Sequence, residues 1–425
     1  MIPLHWEEVV ALGLGALDGG EAGAPIRGIK ADSREVGPGD LFVALNTGVR
    51  FVDDARARGA AALVPDDQEA ALAALASLVR AKSDAQVVAV AGSAGKTTTK
   101  DILGALCAPH VPTIWAEKSL NNEIGLPLTV CRLEPETRVL VTEMGMRGLG
   151  QIAALCTIAR PTIAVIPHIG PEHLELLGSV ERVAEANAEA ITALPAGGVA
   201  VVPARCPELE PHLGRADVTV RRFDPADVEL DGTTGRFRVD GGVVELKVPF
   251  TQRHLAINAL AALHAYHALG LPLDRASEGA ARIRLSPWRG QETRLPGGGL
   301  VINDAYNANP DSMYAALVHL TYRGGKRRRC IAILGEMAEL GEQSLRYHEG
   351  IGHLAADLGI DVIGVGEAAR AYSPFAWAAG PAEAVEVGRA HIRPGDVVLV
   401  KASRSVGLEG IADEIANFAR AWSLS

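Results

Sequence analysis

Short runs of contiguous aliphatic residues alternate along this chain with longer stretches in which apolar positions recur every three or four residues. The runs are VVAV (87–90), RVLVTEMG (138–145), PTIAVIPHIG (161–170), GGVAVVPA (197–204), LVIND (300–304), CIAILG (330–335), DVIGVG (361–366) and DVVLVKA (396–402). Each reads as a buried strand. Helical spacing predicts helices over Gln68 to Ala81, from Lys96 through Ile102, Leu103 and Leu106, over Val180 to Leu194, and over 251–269. Strands alternating with helices give an α/β fold with mostly parallel sheets. Residues 215–250 break the rhythm with short alternating runs and turn glycines, which predicts a β-hairpin insertion.

The chain divides into three units, 1–82, 83–292 and 293–425. The third reads as a Rossmann-like domain without the dinucleotide fingerprint. Of the 425 residues, 48% are hydrophobic but only 4% aromatic, so the cores must be built from Ala, Val, Leu and Ile. A formal net charge of −10 argues against a general nucleic-acid partner, though not against anionic ligands at a local positive site. Cys107, Cys131, Cys156, Cys206 and Cys330 are scattered, without metal-ligand spacing, and read as small core residues in a reducing compartment. The N-terminus lacks a basic-then-apolar signal, and no stretch reaches the roughly 18 apolar residues of a membrane helix. A cytoplasmic location with no membrane insertion is the expectation.

The first run leads into the chain's most informative segment. After Val90 come Gly92, Ser93, Ala94, Gly95, Lys96, Thr97 and Thr98. Strand, glycine loop and helix are the layout of a phosphate-binding loop, in the shorter GxxGKT form. Glycines let the loop amides turn toward an anion, and the helix start adds partial positive charge. Lys96 would reach the outer phosphates, and the Thr97 hydroxyl would ligate magnesium. Polar residues crowd four further strand ends, where open α/β sheets place their ligands. They are Glu143; His168 and His173; Asn303, Asp304, Tyr306, Asn307 and Asn309; and Lys401, Ser403 and Arg404. Glu143, on a strand beside the loop, suits the hard-oxygen need of magnesium.

These blocks resemble the ATP-dependent Mur ligases of peptidoglycan synthesis, across essentially the whole chain. GSAGKTTTK is similar to that family's ATP loop. NNEIGLPLT (121–129), EMGMRGLGQI (143–152), IGPEHLELLGS (169–179) and RHLAINALAA (253–262) are similar to its central-domain blocks, and VKASRS (400–405) to a C-terminal one. NDAYNANPDSM (303–313) and LGEMAELGEQSLRYHEGIG (334–352) resemble the member that adds D-alanyl-D-alanine. KADSREVGPGDLFVAL (30–45) resembles its uridine-nucleotide domain.

The resemblance implies three domains: a small α/β UDP-sugar-peptide domain, a central ATPase-like parallel sheet with a β insertion, and a Rossmann-like domain that binds the dipeptide and closes on ATP. It implies ATP and Mg2+ as cofactors, and UDP-N-acetylmuramoyl-tripeptide and D-alanyl-D-alanine as substrates of an enzyme acting as a monomer. Lys96, Glu143 and His173 are then the expected catalytic residues, with Thr97, Glu143 and His173 at the metal. Gly92 to Thr98, Asn258, Arg289 and Asp304 are expected at ATP. Asp32, Ser33, Arg34, Asn121, Asn122, Asn307, Asn309, Lys401, Ser403 and Arg404 are expected at the substrates.

Four positions depart from the family pattern. Asn187 stands where the family carries a lysine that becomes carbamylated and binds a second magnesium. His168 replaces an asparagine, Asn303 an aspartate, and Leu255 an asparagine. Either that second site is rebuilt from Asn187, Glu189 or His168, with activity indifferent to bicarbonate, or the metal is held weakly. Another ligase of the superfamily, such as a folylpolyglutamate synthase, and an inactive nucleotide-binding homologue stand as the alternatives.

Overall fold

The computed structural model describes residues 1–21 and 23–423. Ala22, Leu424 and Ser425, which fall in the first and third expected units, lie outside the described residues. In the first unit, strands Gly15–Asp18, Ala61–Pro65, Asp40–Val43 and Gly28–Lys30 pair in that order. Helix Gln68–Ala81 follows, capped by Asp67, whose carboxylate accepts the Ala70 N–H at 3.0 Å. Leu72, Leu75, Ala76 and Val79 form its buried stripe. They pack toward helices Gly125–Val130 and Gln151–Ala159, so one apolar core runs from the first unit into the second. Arg80, on the same helix, donates to the carbonyls of Ser83 and Ala159 at 2.6 and 2.8 Å and fastens that join.

The central unit is a six-stranded, wholly parallel sheet. Its first strand, β1 (Gln86–Val90), lies in the interior, between β2 (Val139–Glu143) and β3 (Ile163–Val165). The chain leaves β1 toward one edge and later returns on its other side. That reversal opens a crevice at the carboxyl ends of β1, β2 and β3. Val87 to Val90 are fully buried, as a strand covered on both faces requires. Helix α1 (Lys96–Cys107) follows the loop, α2 (Val180–Thr192) comes after β3, and α3 (Arg253–Ala268) packs along α1.

The hairpin expected within 215–250 is present as Thr234–Val239 and Gly242–Lys247, and the rest of that segment adds two further strands. Thr219–Phe223 joins the central sheet as a parallel edge strand. Val228–Asp231, Thr234–Val239 and Gly242–Lys247 form a separate three-stranded antiparallel sheet. An edge strand is half exposed, so TVRRF lacks the continuous aliphatic run of the other central strands.

The third unit has a six-stranded sheet, parallel except for its first strand, Gln291–Arg294, which pairs antiparallel with β4 (Leu300–Asn303). The sheet therefore begins two residues before position 293. Helix α4 (Pro310–Gly324) starts close to the end of β4, and β5 (Val397–Lys401) lies beside it.

One buried cation fixes how α1 sits. Lys100 is fully buried; its Nζ donates to the carbonyls of Ala116 and Lys118, each at 2.7 Å, and pairs with Asp101 at 2.7 Å. Asp101 in turn accepts the Ser286 N–H and Oγ–H at 2.9 and 2.7 Å. Removing the ammonium leaves two carbonyls and a carboxylate poorly satisfied inside the protein. Lys100→Met is expected to lower the unfolding free energy by about 2–4 kcal/mol in urea titration. Unchanged stability would show that this network does not anchor the helix.

Candidate active site

The loop between β1 and α1 is held open by its glycines. Gly92 and Gly95 have φ of 122° and 80°, values that side chains with a Cβ rarely adopt. A Cβ on Gly95 would run into the Asn258 amide, which reaches the loop from α3. The Ala91 N–H donates to Val165 O at 3.0 Å, and the Ser93 N–H to His168 O at 2.9 Å. Between them the Gly92 N–H donates to Asn187 Oδ1 at 2.5 Å. The next N–H groups, of Ala94, Gly95, Lys96 and Thr97, have no protein acceptor among the described residues. They belong to the loop and the first turn of α1, where no intrahelical partner exists. Together they form a cradle for an anion.

Charged and hydroxyl groups surround the cradle. Lys96 Nζ donates to Gly92 O at 2.5 Å and to Glu172 Oε1 at 3.0 Å. Thr97 Oγ1 lies 3.2 Å from Ser119 Oγ and accepts from Arg289 Nη2 at 2.8 Å. The Arg289 guanidinium lies over the Tyr306 ring, 3.9 Å from its centre. Glu143 ends β2 opposite Val90. Its Oε1 accepts from Asn121 Nδ2 at 2.8 Å, while Oε2 is buried without a hydrogen-bond partner. An orphaned buried carboxylate oxygen beside a phosphate loop fits a hard cation. Among the described residues no three His, Cys, Asp or Glu side chains form a preassembled metal set. A cation here would rest on Glu143, a hydroxyl and ligand oxygens, as magnesium does at phosphate sites.

The third unit reaches this loop directly. Asn309 caps α4 by accepting the Ser312 N–H at 2.9 Å and donates from Nδ2 to Ser93 O at 3.4 Å. Asp311 Oδ2 lies 3.6 Å from His168 Nε2, and His168 Nδ1 lies 3.3 Å from Ser93 Oγ. Burial pushes the Asp311 carboxyl above its ordinary range, against the pull of His168. His173, in a left-handed backbone conformation, pairs through Nδ1 with Glu339, which also meets Arg147 at 3.3 Å.

Other expected residues are engaged locally. Asp304 is bound at 2.6 Å by Lys401 Nζ, which also donates to Asn307 O at 2.9 Å. Near that pair burial pushes the His254 imidazole down to about 4, so it is neutral at physiological pH. Ser403 Oγ donates to Ala308 O at 3.2 Å, and Arg404 pairs with Glu409 at 3.2 Å. Asn122 accepts the Gly125 N–H at 2.9 Å. Asp32, Ser33 and Arg34 line a separate cavity of about 950 Å³ in the first unit, with Phe42, Phe51 and Arg58. Arg34 holds the Asp32 carboxyl down to about 2.

His173 is joined to Glu339, and among the described residues no three His, Cys, Asp or Glu side chains form a metal set with it. Asn187 and Glu189 each have a protein partner. Asn187 holds Gly92, and Glu189 accepts the N–H groups of Gly150 and Ala153 at 2.5 and 2.9 Å. Sequence reading missed Glu172, Glu339 and Asp311. Each lies inside a block already singled out, Glu172 and Asp311 beside or near named residues, but its partner is distant in the chain.

Comparison with known proteins agrees with this geometry. Residues 90–266 match the Mur ligase middle domain, and residues 288–404 the Mur ligase, glutamate ligase domain. The chain is 35% identical to a Mycobacterium tuberculosis protein named UDP-N-acetylmuramoyl-tripeptide–D-alanyl-D-alanine ligase, covering 91% of each. It is 33% identical to the Escherichia coli protein of that name, over 81% of this chain and 82% of the other. MurF from Acinetobacter baumannii superposes with a TM-score of 0.86 at 26% identity, covering 98% and 99% of the two chains. MurF ligase from Thermotoga maritima in complex with ADP gives 0.82 at 28% identity, covering 93% and 99%.

Glu172 occupies the Lys96 ammonium, the cation beside the anion cradle. Glu172→Gln removes that competing charge, and ADP is expected to bind about three- to tenfold more tightly by calorimetric titration. Unchanged or weaker binding would show that Glu172 does not compete with the nucleotide.

Proposed function

The chain belongs to the Mur ligase family, and from that we propose that it joins D-alanyl-D-alanine to UDP-N-acetylmuramoyl-tripeptide, with ATP converted to ADP and phosphate. The observation that carries this reading is the set of unpaired N–H groups from Ala94 to Thr97, ringed by Lys96, Arg289 and Glu143 and capped by Asn309 of the third unit. A triphosphate end placed there meets backbone N–H groups and the cationic side chains of Lys96 and Arg289.

The chemistry takes two steps. A carboxylate oxygen of the tripeptide attacks the γ-phosphorus, the bond to the β-phosphate oxygen breaks, and ADP leaves. The free amine of the dipeptide then attacks the acyl carbon, the carbon–oxygen bond to phosphate breaks, the amine loses a proton, and an amide remains. Phosphoryl transfer needs positioning and offset charge more than covalent help. Lys96 exchanges Glu172 for phosphoryl oxygens, and the loop amides hold the phosphates in line. Thr97 Oγ1 and Glu143 Oε2 are the groups that would hold Mg2+, which supplies further positive charge to those oxygens. Arg289, stacked on Tyr306, tethers the start of α1 to the segment leading into the third unit. The contacts of Asn309 with the loop and of Asp311 with His168 close the third unit over the site and keep water from an acyl phosphate that it would hydrolyse.

The first-unit cavity around Asp32, Ser33 and Arg34 takes the uridine end of the tripeptide substrate in this reading. Asn307, Lys401, Ser403 and Arg404 belong to the dipeptide side. No helix among the described residues is long and apolar enough to cross a membrane. The enzyme acts as a cytoplasmic monomer on a charged, nucleotide-linked precursor.

Phosphate release with ATP, Mg2+, the UDP-linked tripeptide and D-alanyl-D-alanine tests the reading, each component being omitted in turn. Sustained release is expected only with all four present. Release without the dipeptide, or none with the complete mixture despite ADP binding, would contradict it.

A further inference from the structure

Building on the nucleotide site just described, we propose that Asn187 is a positioning residue for the phosphate loop. Its side-chain amide, fixed from α2, sets the Gly92 peptide and so the anion cradle that follows.

Asn187 is 1% exposed. Its Nδ2 donates to Val183 O, one turn back on α2, at 2.8 Å. That bond fixes the amide plane, and Oδ1 then faces away from α2 and accepts the Gly92 N–H at 2.5 Å. The following peptide is pinned as well, because the Ser93 N–H donates to His168 O while Gly92 O receives Lys96 Nζ. Both peptides flanking Gly92 are thus held, at a residue with φ of 122°. Glycine has more backbone freedom than any other residue. With one peptide released, the loop gains alternative conformations in which its amides no longer converge and Lys96 loses its carbonyl anchor.

The chemistry of the clamp also matters. A buried N–H needs an acceptor. An amide oxygen supplies one without adding negative charge beside a site for phosphates, whereas a carboxylate would repel them. Asn187 is a neutral acceptor in the place where charge would count most.

The test uses ADP with Mg2+ as probe, by calorimetric titration on the full-length protein, with steady-state kinetics alongside. Asn187→Leu keeps the branching and the number of heavy atoms but replaces the acceptor with a methyl group. The Kd for ADP and the KM for ATP are expected to rise about tenfold, kcat to change less than about threefold, and the melting temperature to stay near wild type. Asn187→Asp keeps the acceptor and adds a charge. Its affinity deficit relative to wild type is expected to be large near pH 8 and to shrink toward about pH 5.5, as a carboxyl raised by burial and nearby phosphate protonates. A purely structural residue would not give that pH-dependent ratio. A folded Asn187→Leu protein with wild-type ADP affinity would overturn the proposal. So would an Asn187→Asp protein whose deficit is the same at every pH, which keeps the test alive if the leucine variant does not fold. A wild-type protein that binds no ADP would instead sink the nucleotide reading beneath it.

Discussion

Backbone amides at the head of α1 that have no acceptor among the described residues set the terms for everything around them. A helix start always leaves such groups unsatisfied, and most helices meet them with a capping side chain or water. Here the cap position is Gly95, which has no side chain to offer. The amides are left for an anion. The sheet places them at the point where its strand order reverses, and its neighbours at that point supply Glu143 and His168.

The rest of the molecule is arranged to hold this arrangement steady without filling it. Lys96 is kept in reach by Gly92 O and balanced by Glu172, so a cation stands beside the cradle before any ligand arrives. Lys100 and Asp101 tie α1 to Ser286, close to where the third unit begins. From the opposite side Asn309, Asp311 and Glu339 approach the loop and its flanking segments. The nucleotide site and the junction between the units are therefore one place. In the proposed function, closing the junction and ordering the phosphates would draw on the same few side chains.

Much of this was legible in the chain. Val87–Val90, Val139–Glu143 and Val397–Lys401 are fully buried parallel strands, and continuous β-branched runs announce such strands plainly. Lys96, Thr97 and Glu143 follow from strand-end logic. Gln291–Arg294 did not show itself, because an exposed edge strand of polar residues carries no hydrophobic pattern. Thr219–Phe223 was grouped with the insertion for a related reason: a half-exposed edge strand with two arginines lacks the continuous aliphatic run of its neighbours. Glu172, Asn187 and Glu339 were hidden differently. Glu172 meets Lys96 across 76 positions, Asn187 meets Gly92 across 95, and Glu339 meets His173 across 166. Local pattern identifies a polar residue near a strand end, but only the folded topology assigns its partner. Asn187 shows this most sharply, since the sequence marked it as a lost metal ligand and the structure gives it a hydrogen-bonding task.

The central claim is that the cradle activates the tripeptide carboxylate by phosphorylating it. The most direct measurement is oxygen transfer. The UDP-linked tripeptide, labelled with oxygen-18 in its terminal carboxylate, is turned over with unlabelled ATP and D-alanyl-D-alanine, and the released phosphate is analysed by mass spectrometry. The account predicts one labelled oxygen in each phosphate, carried from the carboxylate through the acyl phosphate. Phosphate free of label, accompanied by amide product, would contradict it.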